Sequence, residues 1–413
     1  MRTLKRGWMV ASLMTWSFAA PVRADEAPPP ANAPTATSQI TLPSTGGLNV
    51  TSSNGQFEVT LRGRIQVDGG AFRNDALGTK NVSGTELRRV RLGAAGQALG
   101  WRYLVEVDFA GDGVEAQDLW ISRTLGPGQL TVGQFKPAFS IEDQTNDLYV
   151  VMQERSFLAS TLAPGFQIGV GYAGDVGVFT YGVALYNLDR NNASHDRGFG
   201  GSGRVTFAPW RTEGRVLHVG VAVAREHTDL MGDGKQPGVS LRVRTAGHLA
   251  DGSRFLLLGF NDNSSVDSTK GVLELAGVYG PLSLQAEAAQ GRYASRSARG
   301  RLSTWYVQAS GFLTGESRAY DATRGRFQRL VPRGRFGALE LAVRYDVARG
   351  LTTPAVEVSN GIEVHAATAG INWYVNERVR LTVNGILATV EDPLNVTALD
   401  DTRAVTARLQ LEF

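Results

Sequence analysis

Two short stretches set arginines two residues apart. FEVTLRGRIQVD at 57–68 carries Arg62 and Arg64, and ELRRVRLGAAGQ at 86–97 carries Arg88, Arg89 and Arg91. A guanidinium keeps its charge at any physiological pH and forks two hydrogen bonds onto an oxyanion, so rows of arginine suit the binding or passage of anions. The spacing matters because residues i and i+2 of a strand share one face. In 57–68 the opposite face holds Phe57, Val59, Leu61, Ile65 and Val67. Either that face packs inward as in a soluble sandwich, or it meets lipid while Arg62 and Arg64 face water inside a pore.

Composition removes several kinds of chemistry. No cysteine occurs among the 413 residues, which excludes disulfides, thiol nucleophiles and thiolate metal sites. The histidines (His195, His218, His227, His248 and His365) are scattered and show neither a nucleophile-and-base motif nor metal-ligand spacing. The sequence therefore points to no enzyme, no metal and no cofactor. Residues 1–24 read as an export signal, with Arg2, Lys5 and Arg6 at the start, an apolar middle at 7–20, and Val22-Arg23-Ala24 as the cleavage site. That segment takes four of the 42 basic residues and none of the 39 acidic ones, leaving 38 against 39. The calculated pI of 9.1 thus gives no argument for nucleic acid as a partner. Only five basic residues are lysine, a bias that coding-DNA composition explains more readily than function does.

Residues 25–56 form a Pro/Ala/Thr-rich N-terminal segment, extended or disordered over 25–46. From 57 to 413 the alternation hardly stops. It predicts strands at 57–68, 86–97, 101–110, 116–125, 129–137, 166–174, 176–187, 201–208, 215–225, 271–279, 281–292, 301–313, 335–346, 363–375, 378–390 and 403–413. Most are near ten residues, the length of a tilted bilayer crossing. Short turns such as Gly126-Pro127-Gly128 and Tyr279-Gly280-Pro281 alternate with long segments such as 138–165 and 226–270. In the last strand Val405, Ala407, Leu409, Leu411 and Phe413 share one face, and Thr406, Arg408, Gln410 and Glu412 the other. Together these features predict an all-β, antiparallel up-and-down transmembrane barrel of 16 strands in a bacterial outer membrane. The N-terminal segment 25–56 then lies in the periplasm. A further strand at 238–248 would bring the count to 18. Arg62, Arg64, Arg89 and Arg91 face the lumen; Arg88 has lipid parity and needs either a bulge to turn inward or a position beyond the apolar band near the outer rim.

Several stretches resemble the phosphate-selective porin O/P family: LRGRIQVDGGAF, ELRRVRLGAAGQ, YLVEVDFAG, AQDLWIS, GQFKPAFSIEDQT, ERSFLASTLAPG, LELAGVYGPLSLQAE, FLTGESRAYD and FGALELAVRYD, in shared order from 57 onward. The resemblance implies a homotrimer of sixteen-stranded barrels in outer-membrane lipid, each narrowed by a constriction loop after strand 5. It also implies an arginine track for phosphate, pyrophosphate or polyphosphate. By position, Arg88 and Arg89 match the paired arginines of the central anion site and Asp118 their acidic partner. Arg242 and Arg244 match the basic outer segment. Arg318, Arg324, Arg326, Arg329 and Arg333 resemble a basic cluster at the periplasmic mouth.

One departure stands out. Members selective for phosphate carry lysines in the constriction loop, whereas 138–165 has only Arg155 against Glu142, Asp143, Asp147 and Glu154, with Lys136 just before it. If the loop enters the pore, these carboxylates are expected to oppose anions at the narrowest point. A general diffusion pore and a plugged structural or adhesion barrel are the competing readings.

Overall fold

A computed structural model describes residues 38–41, 47–74, 83–111, 113–188, 198–229, 239–249, 254–260, 264–353, 361–392 and 397–413, and the expected export signal lies outside them. Sixteen strands form the wall: β1 Phe57–Asn74, β2 Gly84–Ala98, β3 Trp101–Asp108, β4 Glu115–Leu125, β5 Gly128–Phe135, β6 Gln167–Val176, β7 Phe179–Asn187, β8 Gly198–Thr212, β9 Arg215–Thr228, β10 Val266–Tyr279, β11 Leu282–Ala294, β12 Arg299–Phe312, β13 Ala338–Thr353, β14 Glu363–Tyr374, β15 Val379–Asp392 and β16 Thr397–Glu412. Each pairs antiparallel with the next, and β16 returns to β1 with Glu412 opposite Arg64 and Thr402 opposite Asn74. Every expected segment is a wall strand, so the barrel has sixteen strands.

The burial pattern answers which face meets what. On β16, Thr406, Arg408 and Gln410 are 2, 5 and 7% exposed, whereas Val405, Leu409 and Leu411 are 58, 47 and 39% exposed. An apolar face turned outward around a closed wall is a lipid face. Trp210, Tyr279 and Trp373 lie outward near the tight turns, and Trp305 and Tyr345, with ring centroids 5.8 Å apart, lie outward at mid-strand. The first three stand at an interfacial level, where amphipathic rings settle.

Three connections fold into the lumen. The loop from β5 to β6 carries α1 Ile141–Gln144 and α2 Phe157–Thr161. The connection from β9 to β10 carries an antiparallel hairpin, Val239–Arg244 with Arg254–Phe260. Phe157, Leu158 and Leu162 of the loop, Leu258 and Phe260 of the hairpin and Tyr306 of β12 belong to one apolar core. The hairpin lies so near β13 that a Cβ on Gly350 would stand 1.8 Å from the Leu257 carbonyl oxygen. The segment 238–248 thus contains a strand, but outside the wall: β9 and β10 pair directly with each other and leave it no place there. On the turn side, the connection from β12 to β13 holds a two-residue ribbon, Tyr320–Asp321 with Arg326–Phe327. Its Phe327 packs with Ile141, Val216, Ala276 and Val278.

Within the N-terminal segment, Gln39–Thr41 pairs with Leu48–Thr51, which pairs in turn with Glu58–Leu61 of β1.

Candidate functional site in the lumen

The constriction loop is shaped by its own caps and then fastened to the wall. Ser140 accepts the Asp143 N–H at 3.1 Å to start α1, and Ser156 accepts the Ala159 N–H at 3.3 Å to start α2. Wall arginines bond its carbonyl oxygens. Arg380 donates to Leu148, Val150 and Val151 at 3.2, 2.8 and 2.7 Å, Arg408 to Gln153 at 2.6 Å, and Arg344 to Glu154 at 3.0 Å. Arginine, with five forked donors, is well suited to gather several carbonyls in this way.

The loop carboxylates complete the clamp. Asp147 lies 2.5 Å from Arg64, 2.9 Å from Arg89 and 3.8 Å from Arg91. Glu154 lies 3.3 Å from Arg88 and 2.6 Å from Arg408. Asp143 pairs with Lys136 at 2.8 Å, and Glu142 lies 3.4 Å from Arg344 and accepts the Ser156 N–H at 2.9 Å. Burial raises the carboxyls of Asp147 and Glu154, but their arginines outweigh it and hold both well below the ordinary range. The expectation that these four acids stand in the passage and oppose anions is therefore corrected. Each is spent on a cation of the wall or of the loop's own base, because burying a carboxylate without a partner costs far more than leaving a passage unlined.

The wall residues expected at the site fall as follows. The β1–β2 register slips between Gln66/Arg89 and Val67/Leu87, so Arg88 is the extra residue of a bulge. That slip is what turns it inward to Glu154, despite its outward parity. Arg89 donates to Gln66 at 2.7 Å. Arg64 and Arg91 share Glu106, at 2.5 and 3.3 Å, and Arg91 also meets Asp108 at 2.7 Å. Arg62 stays 40% exposed, 3.6 Å from Glu106. Asp118 accepts from the Trp120 indole at 3.1 Å, while the carboxylates that meet Arg88 and Arg89 are Glu154 and Asp147. The structure thus does not give Asp118 the partnership that its position implied.

Arg242 is exposed and Arg244 half-buried on the outer hairpin. The group expected at the periplasmic mouth is dispersed. Arg318 is buried over the Phe327 ring at 3.4 Å, and Arg329 reaches Tyr149 at 3.2 Å and Glu412. Arg333 pairs with Glu213, and Arg324 is 51% exposed beside Asp321.

One juxtaposition was not visible in the sequence. Lys136 donates to the Asp143 carbonyl at 3.2 Å, Arg326 to Gln144 at 2.8 Å and Arg155 to Thr145 at 2.7 Å. Three cations from three separate segments thus gather on three successive carbonyls at the end of α1. Burial pushes the Lys136 ammonium down and Arg155 adds to the push, although Asp143 counters it. Burial and Arg324 push Arg326 down to about 10. The Arg155 Nη1 is buried without a hydrogen-bond partner. Lys136 is matched by Asp143, whereas among the described residues no carboxylate lies at ion-pair distance from Arg155 or Arg326. Arg204 was also missed: it grips Glu274 at 2.8 and 2.6 Å and donates to the Gly325 carbonyl at 2.8 Å, holding the ribbon in place. Lumen parity on β8, β13, β15 and β16 marks Arg204, Arg344, Arg380 and Arg408 as inward, but not what each one holds.

Known proteins agree with this architecture. The chain is 28% identical to Porin O of Pseudomonas aeruginosa over 91% of its own length and 92% of the relative's. Its fold is similar to the anion-selective porin of Comamonas acidovorans, with a TM-score of 0.56 at 14% identity, covering 86% of this chain and 99% of that one. It is also similar to the trimer form of OmpT from Vibrio cholerae, with a TM-score of 0.54 at 9% identity, covering 86% and 99%. Residues 59–413 match the family described as phosphate-selective porin O and P. The chain belongs to that family and is an outer-membrane β-barrel porin, a channel rather than an enzyme.

Proposed function

We propose that this porin is an anion-selective diffusion channel for phosphate and its condensed forms, assembled as a homotrimer. The observation that carries the reading is the convergence of Lys136, Arg155 and Arg326 on the carbonyls of Asp143, Gln144 and Thr145. A dianion entering there meets Arg155 and Arg326, which no carboxylate pairs among the described residues, beside Lys136, which Asp143 already matches, in a passage where charge is screened far less than on an open surface. Half-exposed Arg62 adds to the field, and exposed Arg242 and Arg324 stand on the routes in and out. Arg64, Arg88, Arg89 and Arg91 contribute less, because Asp147, Glu154, Glu106 and Asp108 already match their charge. The family's description supports phosphate as the solute, and the trimer form of a neighbour with the same fold supports the assembly.

Reversal potential across a salt gradient in a planar bilayer tests selectivity: an anion-directed value is expected, and a cation-directed one overturns the reading. Absence of conductance would favour a plugged barrel. Phosphate block of chloride current locates the site. The pair Arg155→Gln/Arg326→Gln should weaken block more than Arg88→Ala/Arg89→Ala does; the reverse order would return the tightest site to the arginine pair.

A further inference from the structure

The outer wall carries a second cationic feature, remote from the lumen. Arg225 of β9 is opposite Thr269, Thr269 opposite Arg292, Arg292 opposite Arg301, and Arg301 opposite Leu351. These five residues form one register row across β9 to β13. Arg299 lies in the adjoining row, opposite Ala294. All four arginines are exposed on the lipid-facing parity, and they line a groove of about 410 Å³.

The row lies where the apolar band ends. Outward Val219, Val221 and Val223 precede Arg225 on β9, and outward Trp305 and Val307 follow Arg301 on β12, so both runs lie on the turn side of the row. Arg301 is four residues beyond Trp305, roughly 13 Å along a strand at ~3.3 Å per residue. This is the rim away from the tight turns, at headgroup height. Arg225 and Arg301 are three strand spacings apart, about 14 Å.

Nothing within the wall balances this charge. Among the described residues, no carboxylate forms an ion pair with these four arginines, and Arg292 has only a 3.3 Å bond to Gln290. Asp267 also lines the groove, but His227 bonds it at 2.9 Å. Arg292 and Arg301 stand directly opposite each other, an unfavourable like-charge pair unless an anion sits across it. A surface at headgroup height that is basic, grooved and apolar below matches a lipid with phosphate above and acyl chains beneath.

We propose that this groove binds the phosphorylated sugar headgroup of an outer-leaflet glycolipid of the lipid A type, independently of the ion passage. The phosphates bridge Arg292 and Arg301 with Arg225 and Arg299 at the flanks, and the acyl chains lie on the apolar band below.

The test uses the full-length protein in detergent, with bisphosphorylated lipid A as the probe and binding read by native mass spectrometry. Wild type should bind, and Arg292→Gln/Arg301→Gln should lose about tenfold or more in affinity. The lysine pair Arg292→Lys/Arg301→Lys should keep most of the binding. Arg123→Gln/Arg215→Gln, which removes outward arginines stacked on Trp101 and Tyr279 beside the tight turns, should bind as wild type does. Single-channel conductance, unchanged in every variant, reports correct folding. Lipid A stripped of its phosphates should not bind, an arm that needs no variant. Added inorganic phosphate should leave the lipid in place. Equal affinity of wild type and the glutamine pair, equal binding of the dephosphorylated lipid, or release by free phosphate would each overturn the proposal. So would cross-linking from Arg292→Cys that captures a second copy of the chain.

Discussion

Asp147 in the constriction loop is held 2.5 Å from Arg64 on β1 and 2.9 Å from Arg89 on β2, so one carboxylate ties the loop to two neighbouring wall strands. Its side chain is 13% exposed and that of Arg64 6%. Removing one partner from so enclosed a pair leaves the other charge stranded, at about 3–5 kcal/mol. Asp147→Asn should therefore loosen the loop locally while the wall stays intact. Amide exchange over 141–162 should quicken and open-channel noise should rise. Unchanged exchange there would show that the backbone bonds from Arg380 and Arg408 hold the loop unaided.

The clamp should also resist acid. Asp147 and Glu154 have carboxyls depressed well below their ordinary range in the folded state. A depressed folded-state value gives stabilisation that is present above the unfolded value of about 4 and is lost as pH falls through the depressed one. Conductance should stay level from pH 7 to about 4 and change only below that. A transition at pH 5 to 6 would mean that other groups govern the loop.

The hairpin is seated against a glycine. A side chain at 350 would collide with the Leu257 carbonyl, so Gly350→Val should displace the hairpin from the lumen. Overpacking of this kind costs about 1–3 kcal/mol, borne by the hairpin rather than by the β12–β13 ladder. Single-channel conductance should rise. A conductance equal to wild type would place the limiting cross-section elsewhere, at the loop.

The seam between β1 and β16 offers another handle. Gly63 and Phe413 exchange backbone hydrogen bonds of 2.6 and 2.9 Å, and a Cβ on Gly63 would stand 2.5 Å from the Phe413 ring. Gly63→Ala should swing the ring off the seam and slow barrel closure, seen as delayed appearance of the heat-modifiable form on refolding. If neither Gly63→Ala nor Phe413→Ala alters that rate, the ring plays no part in closure.

Strand identity was legible because lipid and water impose opposite demands on alternate residues, and nothing else in the chain breaks that rhythm for long. At Arg88 two adjacent arginines that cannot both face water on a regular strand left a bulge and a place near the outer rim as alternatives, and the register slip selects the bulge. Pair choice was not. Asp147 meets Arg64 across 83 positions of sequence through a loop whose path its own caps and carbonyls decide. Alternation also could not tell a wall strand from a hairpin packed within the lumen, because the apolar residues of 239–244 find grease on helix α2 and the inner wall instead of lipid. The three cations on Asp143, Gln144 and Thr145 come from segments with no common pattern, and only the fold brings them together.

The ribbon ahead of the barrel has a consequence for how the wall is completed. β16 covers one edge of β1 from Arg64 upward, and Phe413 reaches Gly63. Below that point Leu48–Thr51 takes over, covering Leu61 to Glu58. Together they occupy the seam edge of β1 from one rim to the other. A chain cut at Phe57 would still close its barrel, but four strand positions would project past the wall on the turn side with unbonded amides and carbonyls, an invitation for a strand of another molecule to join. The outermost strand of the ribbon, Gln39–Thr41, is only three residues long and offers such a visitor very little to hold. The segment before the barrel thus acts as a selvedge, finishing the woven edge so that it neither unravels nor catches on its neighbours.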